Sequence, residues 1–177
     1  MKSIEVTTQE QFDNLPNYFE ETTEIKIIED KSIRINVSEL IRIMGNKTNS
    51  IINIMNGAYV FTYNGSKVNA YKGSEVHAHD GSYVNAYNSS FVIVDDGSVV
   101  KAYNGSDINA CEGSEVQAME GSEVHAYEGS FINAYQGSEV HAYDGSYVNA
   151  HNGGVVNAYQ GSKINENEGS KIIDFDY

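Results

Sequence analysis

The chain has 177 residues, 40% of them apolar, and 25 Asp and Glu against 11 Lys and Arg give a net charge of -14. Those figures fit one folded domain with a core of its own and exclude a disordered acidic tail. An isoelectric point near 4.6 argues against direct binding of nucleic acid or an anionic membrane and for partners that are basic, either cations or the cationic face of another protein.

The first residues, MKSIEVTTQEQF, carry one Lys and no apolar run of seven or more, so no secretory leader is expected. No stretch has the length of a membrane span, and a cytoplasmic location is expected. Residues 1–48 are not repetitive. Their pattern predicts a strand at 3–6, a helix from near Thr8 with Glu10 in its first turn, strands around 24–29 and 32–37, and a short apolar helix from Ser38 to Met44. This segment is expected to be a small α+β cap over the open end of the repeats that begin at Asn49.

From Asn49 onward the chain is one octad repeated. Gly recurs at 57, 65, 73 and 81 and then at every eighth position from 97 to 169, with Ser89 as the one interruption. Sixteen octads, 49–176, follow the form Gly-Ser-x-Val-x-Ala-Tyr-x, and the fourth slot is Val or Ile in all of them. Slots two, four and six are small or apolar while three, five and seven are polar, charged or Tyr, the period-two alternation of a strand with one buried face. The leading Gly supplies the positive φ of a tight corner, and the Ser beside it can bond local backbone. Such short strands cannot bury themselves singly but can when stacked, so the fold class is all-β, a parallel β-solenoid over 49–177 with the cap at 1–48.

Parity sets the coil. In slot five the odd octads carry Asn53, Asn69, Asn85, Lys101, Gln117, Asn133, Asn149 and Asn165, whereas the even ones carry Phe61, His77, Ile93, Asn109, His125, His141, Asn157 and Ile173. The even octads hold twelve acids and one Lys, net -11, against four acids and four Lys in the odd, net 0. A coil of two strands and sixteen residues explains this, giving eight coils and, at a rise of about 4.8 Å, a body roughly 38 Å long. One acidic and one neutral face are expected. On the acidic face Asp80, Asp96, Glu112, Glu128 and Asp144 form one column, and Asp107, Glu123 and Glu139 a second, with Glu75 one gap away. Like charges about 5 Å apart oppose folding, so a repeat shaped by folding alone favours Asn there. These nine are the candidate partner-binding residues.

Other chemistries fit less well. No octad shows a singular Ser-His-Asp, Cys-His or Gly-rich phosphate arrangement, so an enzyme is not expected. The most irregular octad, Ser89 to Asp96, places Asp95 where Tyr is usual; a bulged coil explains that better than a catalytic pair. Glu123 with His125 and Glu139 with His141 form an outward two-by-two patch, read as an exposed polar ladder rather than a zinc site. Calcium-binding solenoids use GGxGxD corners, which are lacking, and ice-binding ranks of Thr are absent. Cys111 is alone and reads as a packing variant. No metal or cofactor is expected. The terminal slot-six residues Glu166 and Asp174 replace Ala, yet Ile172, Ile173, Phe175 and Tyr177 are apolar again, which suggests an end-to-end homodimer.

Through Val-x-Ala-Tyr-x-Gly-Ser, as in Val124 to Ser130, residues 49–176 resemble bacterial and phage-encoded proteins with tandem Ala-Thr-Val-x-Ala-Tyr-x-Ser octapeptides. Gly-Ser stands here where that family has another small-residue corner, and the resemblance implies a β-solenoid. The acidic rod is also similar in character to the pentapeptide-repeat proteins, which imitate duplex DNA and bind DNA-handling enzymes. The expected function is a non-enzymatic duplex-DNA mimic that inhibits a nucleic-acid-binding enzyme, of the anti-CRISPR, anti-restriction or topoisomerase-inhibitor type. The alternative is a structural or adhesive module of a phage particle or cell surface.

Overall fold

The computed structural model describes residues 2–8, 10–11, 14–16, 23–28, 50–55, 58–63 and 65–175. In chain order the strands are β1 (Lys2–Val6), β2 (Thr23–Ile28), β3 (Ser50–Met55) and β4 (Tyr59–Thr62), followed by fourteen of four residues each. These are β5 (Lys67–Ala70), β6 (Glu75–Ala78), β7 (Tyr83–Ala86), β8 (Phe91–Val94), β9 (Val99–Ala102), β10 (Asp107–Ala110), β11 (Glu115–Ala118) and β12 (Glu123–Ala126), then β13 (Phe131–Ala134), β14 (Glu139–Ala142), β15 (Tyr147–Ala150), β16 (Val155–Ala158), β17 (Lys163–Glu166) and β18 (Lys171–Asp174).

The octad explains each strand and each corner. Glycines such as Gly113 and Gly145, both at φ 73°, take the left-handed turn that a Cβ disfavours. The following Ser closes it: the Ser114 hydroxyl donates to the Cys111 carbonyl at 2.6 Å, and Ser122, Ser130, Ser138 and Ser146 repeat that bond. Slots three to six then extend. Slots two, four and six point inward and are buried, from Ser66, Val68 and Ala70 to Ser146, Val148 and Ala150.

From β3 onward each strand pairs in parallel with the strand sixteen residues away, as in Val124 to Val140 and Val116 to Ile132. The odd octads form one sheet in the order β3-β5-β7-β9-β11-β13-β15-β17, and the even octads form the other, β4-β6-β8-β10-β12-β14-β16-β18. The protein is therefore a parallel β-solenoid of eight two-strand coils, as parity predicts. Its core is thin because the buried inward slots of the repeat hold only the side chains of Val, Ile, Ala, Ser and, at one position, Thr62.

The N-terminal segment extends the first sheet. β2 pairs with β3 and β1 with β2, both parallel, making ten strands. Val6, Ile25 and Ile27 join the same core. The first two expected strands are thus present, and the expected helix near Thr8 is seen as Glu10–Gln11 with the Gln11 amide donating to Thr8 Oγ1 at 3.1 Å, an N-cap bond. The strand expected around 32–37 and the helix from Ser38 to Met44 lie outside the described residues.

At the other end Ile164 and Ile172 pack against the core only partly buried, while Glu166 and Asp174 are exposed at slot six. Ile173 is half-buried, and Phe175 stacks on Tyr159 with centroids 5.1 Å apart. Tyr177 lies outside the described residues. A second copy stacked on this end would have to cover Glu166 and Asp174 as well as the isoleucines. Inward acids at a sheet edge are a recognised barrier to edge pairing.

Candidate functional site

The sixteen-residue coil ranks the nine candidate carboxylates in two columns along the even octads. Asp80, Asp96, Glu112, Glu128 and Asp144 are the slot-eight residues of the corner that leads from the even sheet to the odd. All five are exposed. Glu75, Asp107, Glu123 and Glu139 occupy the opposite end of the even strands, at slot three of β6, β10, β12 and β14. A four-residue strand, about 10 Å over its three residue steps, and the slot-seven residue after it separate the columns. Phe91 fills the gap between Glu75 and Asp107 in register.

The corner column has two local geometries. Asp80 and Asp96 take positive φ, 52° and 49°, a conformation that Asp tolerates through its short polar side chain. Glu112, Glu128 and Asp144 do not; their side chains lie back over the glycine of the next coil, so that a Cβ on Gly145 would come within 2.8 Å of Glu128 Cγ. Backbone bonds run along the axis in both cases, from the Gly81 amide to the Asp96 carbonyl at 3.1 Å and from the Gly129 amide to the Gly145 carbonyl at 3.0 Å.

The second column lies against imidazoles of its own and neighbouring strands. Glu75 Oε1 lies 3.0 Å from His77 Nε2. Glu123 Oε1 lies 3.4 Å from His125 Nε2 and 3.5 Å from His141 Nε2, and Glu139 Oε1 lies 3.7 Å from His141 Nε2. The expected two-by-two patch therefore exists, with its imidazoles stacked at 4.9 Å. Asp107 differs from the other eight: its Oδ1 is buried without a partner, and burial pushes its carboxyl above the ordinary range, His125 pulling it back and Glu123 pushing it further up.

Aromatic columns flank the strands. Tyr71, Tyr87 and Tyr103 stack at 5.4 and 5.0 Å on the odd side, and Tyr127, Tyr143 and Tyr159 at 5.2 and 5.0 Å on the even side. Burial, with the neighbouring tyrosines, raises the Tyr87 and Tyr143 hydroxyls above their usual pKa. The odd sheet presents an amide ladder, Asn85 to Asn69 to Asn53, at 3.0 Å per step. It also exposes Tyr83 and Phe131, about half exposed at 49% and 53%.

Sequence reasoning missed one contact. His79, which the octad pattern does not mark, places Nδ1 2.5 Å from Asp95 Oδ1, so the irregular octad is tied to the coil before it by a side-chain pair. A signal does exist in the sequence: slot seven of the even octads runs Tyr, His, Asp, Cys before returning to Tyr. No described helix is long and apolar enough to cross a membrane. No family model, no curated protein and no solved structure matches the chain.

Proposed function

We propose that this protein is a non-enzymatic binding protein that presents its carboxylate columns to a basic nucleic-acid channel and occupies it in place of duplex DNA. One observation carries the reading: nine carboxylates are ranked along five successive coils, with no Lys or Arg between 102 and 162. Five coils at about 4.8 Å cover roughly 24 Å, the length of about seven base pairs. That is about one charge per 2.7 Å, against one per 1.7 Å for the duplex. The match is to charge density and length, not to bases, so the target is a protein that grips phosphates.

The test is retention of basic duplex-binding proteins, with and without added duplex DNA, by the native protein and by a variant carrying Asn at Asp96, Glu112, Glu128 and Asp144. Native protein should retain a partner at low salt, release it to competing duplex, and lose roughly 10³–10⁵ in affinity between 50 and 200 mM salt if six to ten contacts form. The variant should not retain it. Equal retention by the variant, or a complex indifferent to duplex, sinks the mimic.

The exposed Tyr83 and Phe131 beside the Asn ladder support a second reading, a structural or adhesive module whose working surface is the odd sheet. Under it, substitution of those rings would remove binding and the acid-column variant would leave it intact.

A further inference from the structure

Slot seven of the even octads builds a column of rings along the solenoid: Tyr63 at one end, then Tyr127, Tyr143, Tyr159 and Phe175. Where rings follow one another they stack, at 5.2, 5.0 and 5.1 Å. Three consecutive coils interrupt this column with His79, Asp95 and Cys111, which end in an imidazole, a carboxylate and a thiol. Asp96, beside Asp95, adds a second carboxylate.

The geometry brings three of these groups together. One ligating atom from each of His79, Asp95 and Asp96 lies within 4.8 Å of the others, and this is the one such group of three among the described residues. The His79 ring is fixed in place, stacked on Tyr63 at 5.0 Å and 18° and lying over Phe61 at 6.3 Å and 10°. Its Nδ1 points at Asp95, and both side chains are about a quarter exposed. A positioned imidazole facing two carboxylates is a preorganised ligand set, since the orientation of the ring is paid in advance by packing.

We propose that His79, Asp95 and Asp96 bind one divalent first-row transition-metal ion, zinc being the first to test. Calcium and magnesium prefer all-oxygen sets, whereas a neutral imidazole nitrogen with two carboxylates suits the borderline ions. Zinc has no geometric preference from its d electrons and binds nitrogen and oxygen at about 2.0–2.2 Å. Entry of the ion requires the His79 Nδ1 and Asp95 Oδ1 to move apart by roughly 1 Å to span it. Three protein ligands leave a coordination position open to water or to a group from a partner. The stacked His125 and His141 patch forms no comparable group.

The site belongs to the protein whether or not the acidic columns mimic DNA, and its test is separate. The intact chain would be titrated with zinc against a chromogenic chelator, with excess magnesium and high salt present to suppress diffuse attraction to the acidic surface. One equivalent should bind. His79→Tyr restores the ring that five other coils carry at this slot, so it should fold with an unchanged circular dichroism spectrum and lose zinc. Asp95→Asn should lose it as well, each by more than the roughly 10- to 100-fold that an outer-shell partner supplies. Cys111→Ala and the double variant His125→Gln/His141→Gln should bind as native protein does. Absence of stoichiometric binding, binding that survives His79→Tyr, or binding lost on replacing Cys111 or the His125 and His141 pair overturns the assignment.

Discussion

The odd and even sheets are built from the same octad and share an interior, but their outer surfaces have diverged. Val116 in one and Val124 in the other are both fully buried and occupy the same slot. Outside, Gln117 stands where His125 does, and Phe131 where Glu123 and Glu139 do. Inward slots are enclosed by both neighbouring coils and the facing sheet, whereas outward slots meet side chains of their own and the adjacent strands on one side and solvent on the other. The difference teaches that this solenoid is specified from within, and that its outer columns are free to carry charge on one side and amide and aromatic groups on the other.

The strongest way to break the comparison is to test whether the interiors are equivalent. Val116→Asp and Val124→Asp each place an unpaired charge in the core, and each should lose at least about 4 kcal/mol. Thermal unfolding followed by circular dichroism should show both variants collapsing alike. If one sheet tolerated the charge, the two halves of the coil would not share one core.

Corners offer a finer comparison. Gly97 and Gly145 both have φ 73°, so an Ala at either meets the left-handed penalty of about 1–2 kcal/mol. At Gly97 a Cβ meets nothing within 4 Å, but at Gly145 it meets Glu128 Cγ at 2.8 Å and Cα at 3.3 Å. Gly145→Ala should therefore lower the melting temperature more than Gly97→Ala, and equal losses would mean that Glu128 moves aside freely.

The same corners show how far the sequence could be read. Coil length, sheet membership and the inward slots were legible because Val124, Ala126 and their counterparts recur without exception through the middle of the repeat, and parity sorted the outward residues. Corner conformation was not legible. Asp-Gly pairs favour positive φ at both residues, and Asp80-Gly81 and Asp96-Gly97 have it, but Asp144 in Asp144-Gly145 does not. Asp144 follows Glu112 and Glu128 in its column, and the coil above overrides local preference. The two acidic columns were legible as columns, and the strands place them at opposite ends, slot three at the start and slot eight at the corner beyond the end. The His79 and Asp95 pair escaped because it links slot seven across sixteen residues, where the octad pattern marks only Tyr.

Surface charge should matter less than either. Asp96, Glu112, Glu128 and Asp144 make, with Asp80, four like-charged neighbour pairs along the corner, each opposing folding by the low end of about 0.2–1 kcal/mol because all are exposed. Replacing all four by Asn should raise the melting temperature at low salt, and the gain should shrink at high salt as the native charges are screened. Glu120, whose column neighbours are Asn104 and Gln136, should give no measurable change as Gln. A quadruple variant less stable than native protein at low salt would show that these carboxylates make interactions that support the fold.

The smallest measurable effect is expected at Asp107, and its sign follows from burial. A carboxyl whose folded-state pKa is raised holds its proton more tightly in the native state. Its favourable contribution is complete below the ordinary value of 3.8 and is lost as pH rises through the raised one. At neutral pH the ionised group, with Oδ1 buried and unpartnered, opposes folding. The side chain is only part-buried, so screening by solvent holds this to a few tenths of a kcal/mol. Asp107→Asn removes the charge and offers an N–H next to Glu123, its register neighbour. The variant should melt about 1 °C higher than native protein at pH 7, and the two should converge as pH falls toward 3.8. A lower melting temperature for Asp107→Asn at pH 7 would reverse the sign and show that the carboxylate is stabilised in place by His125.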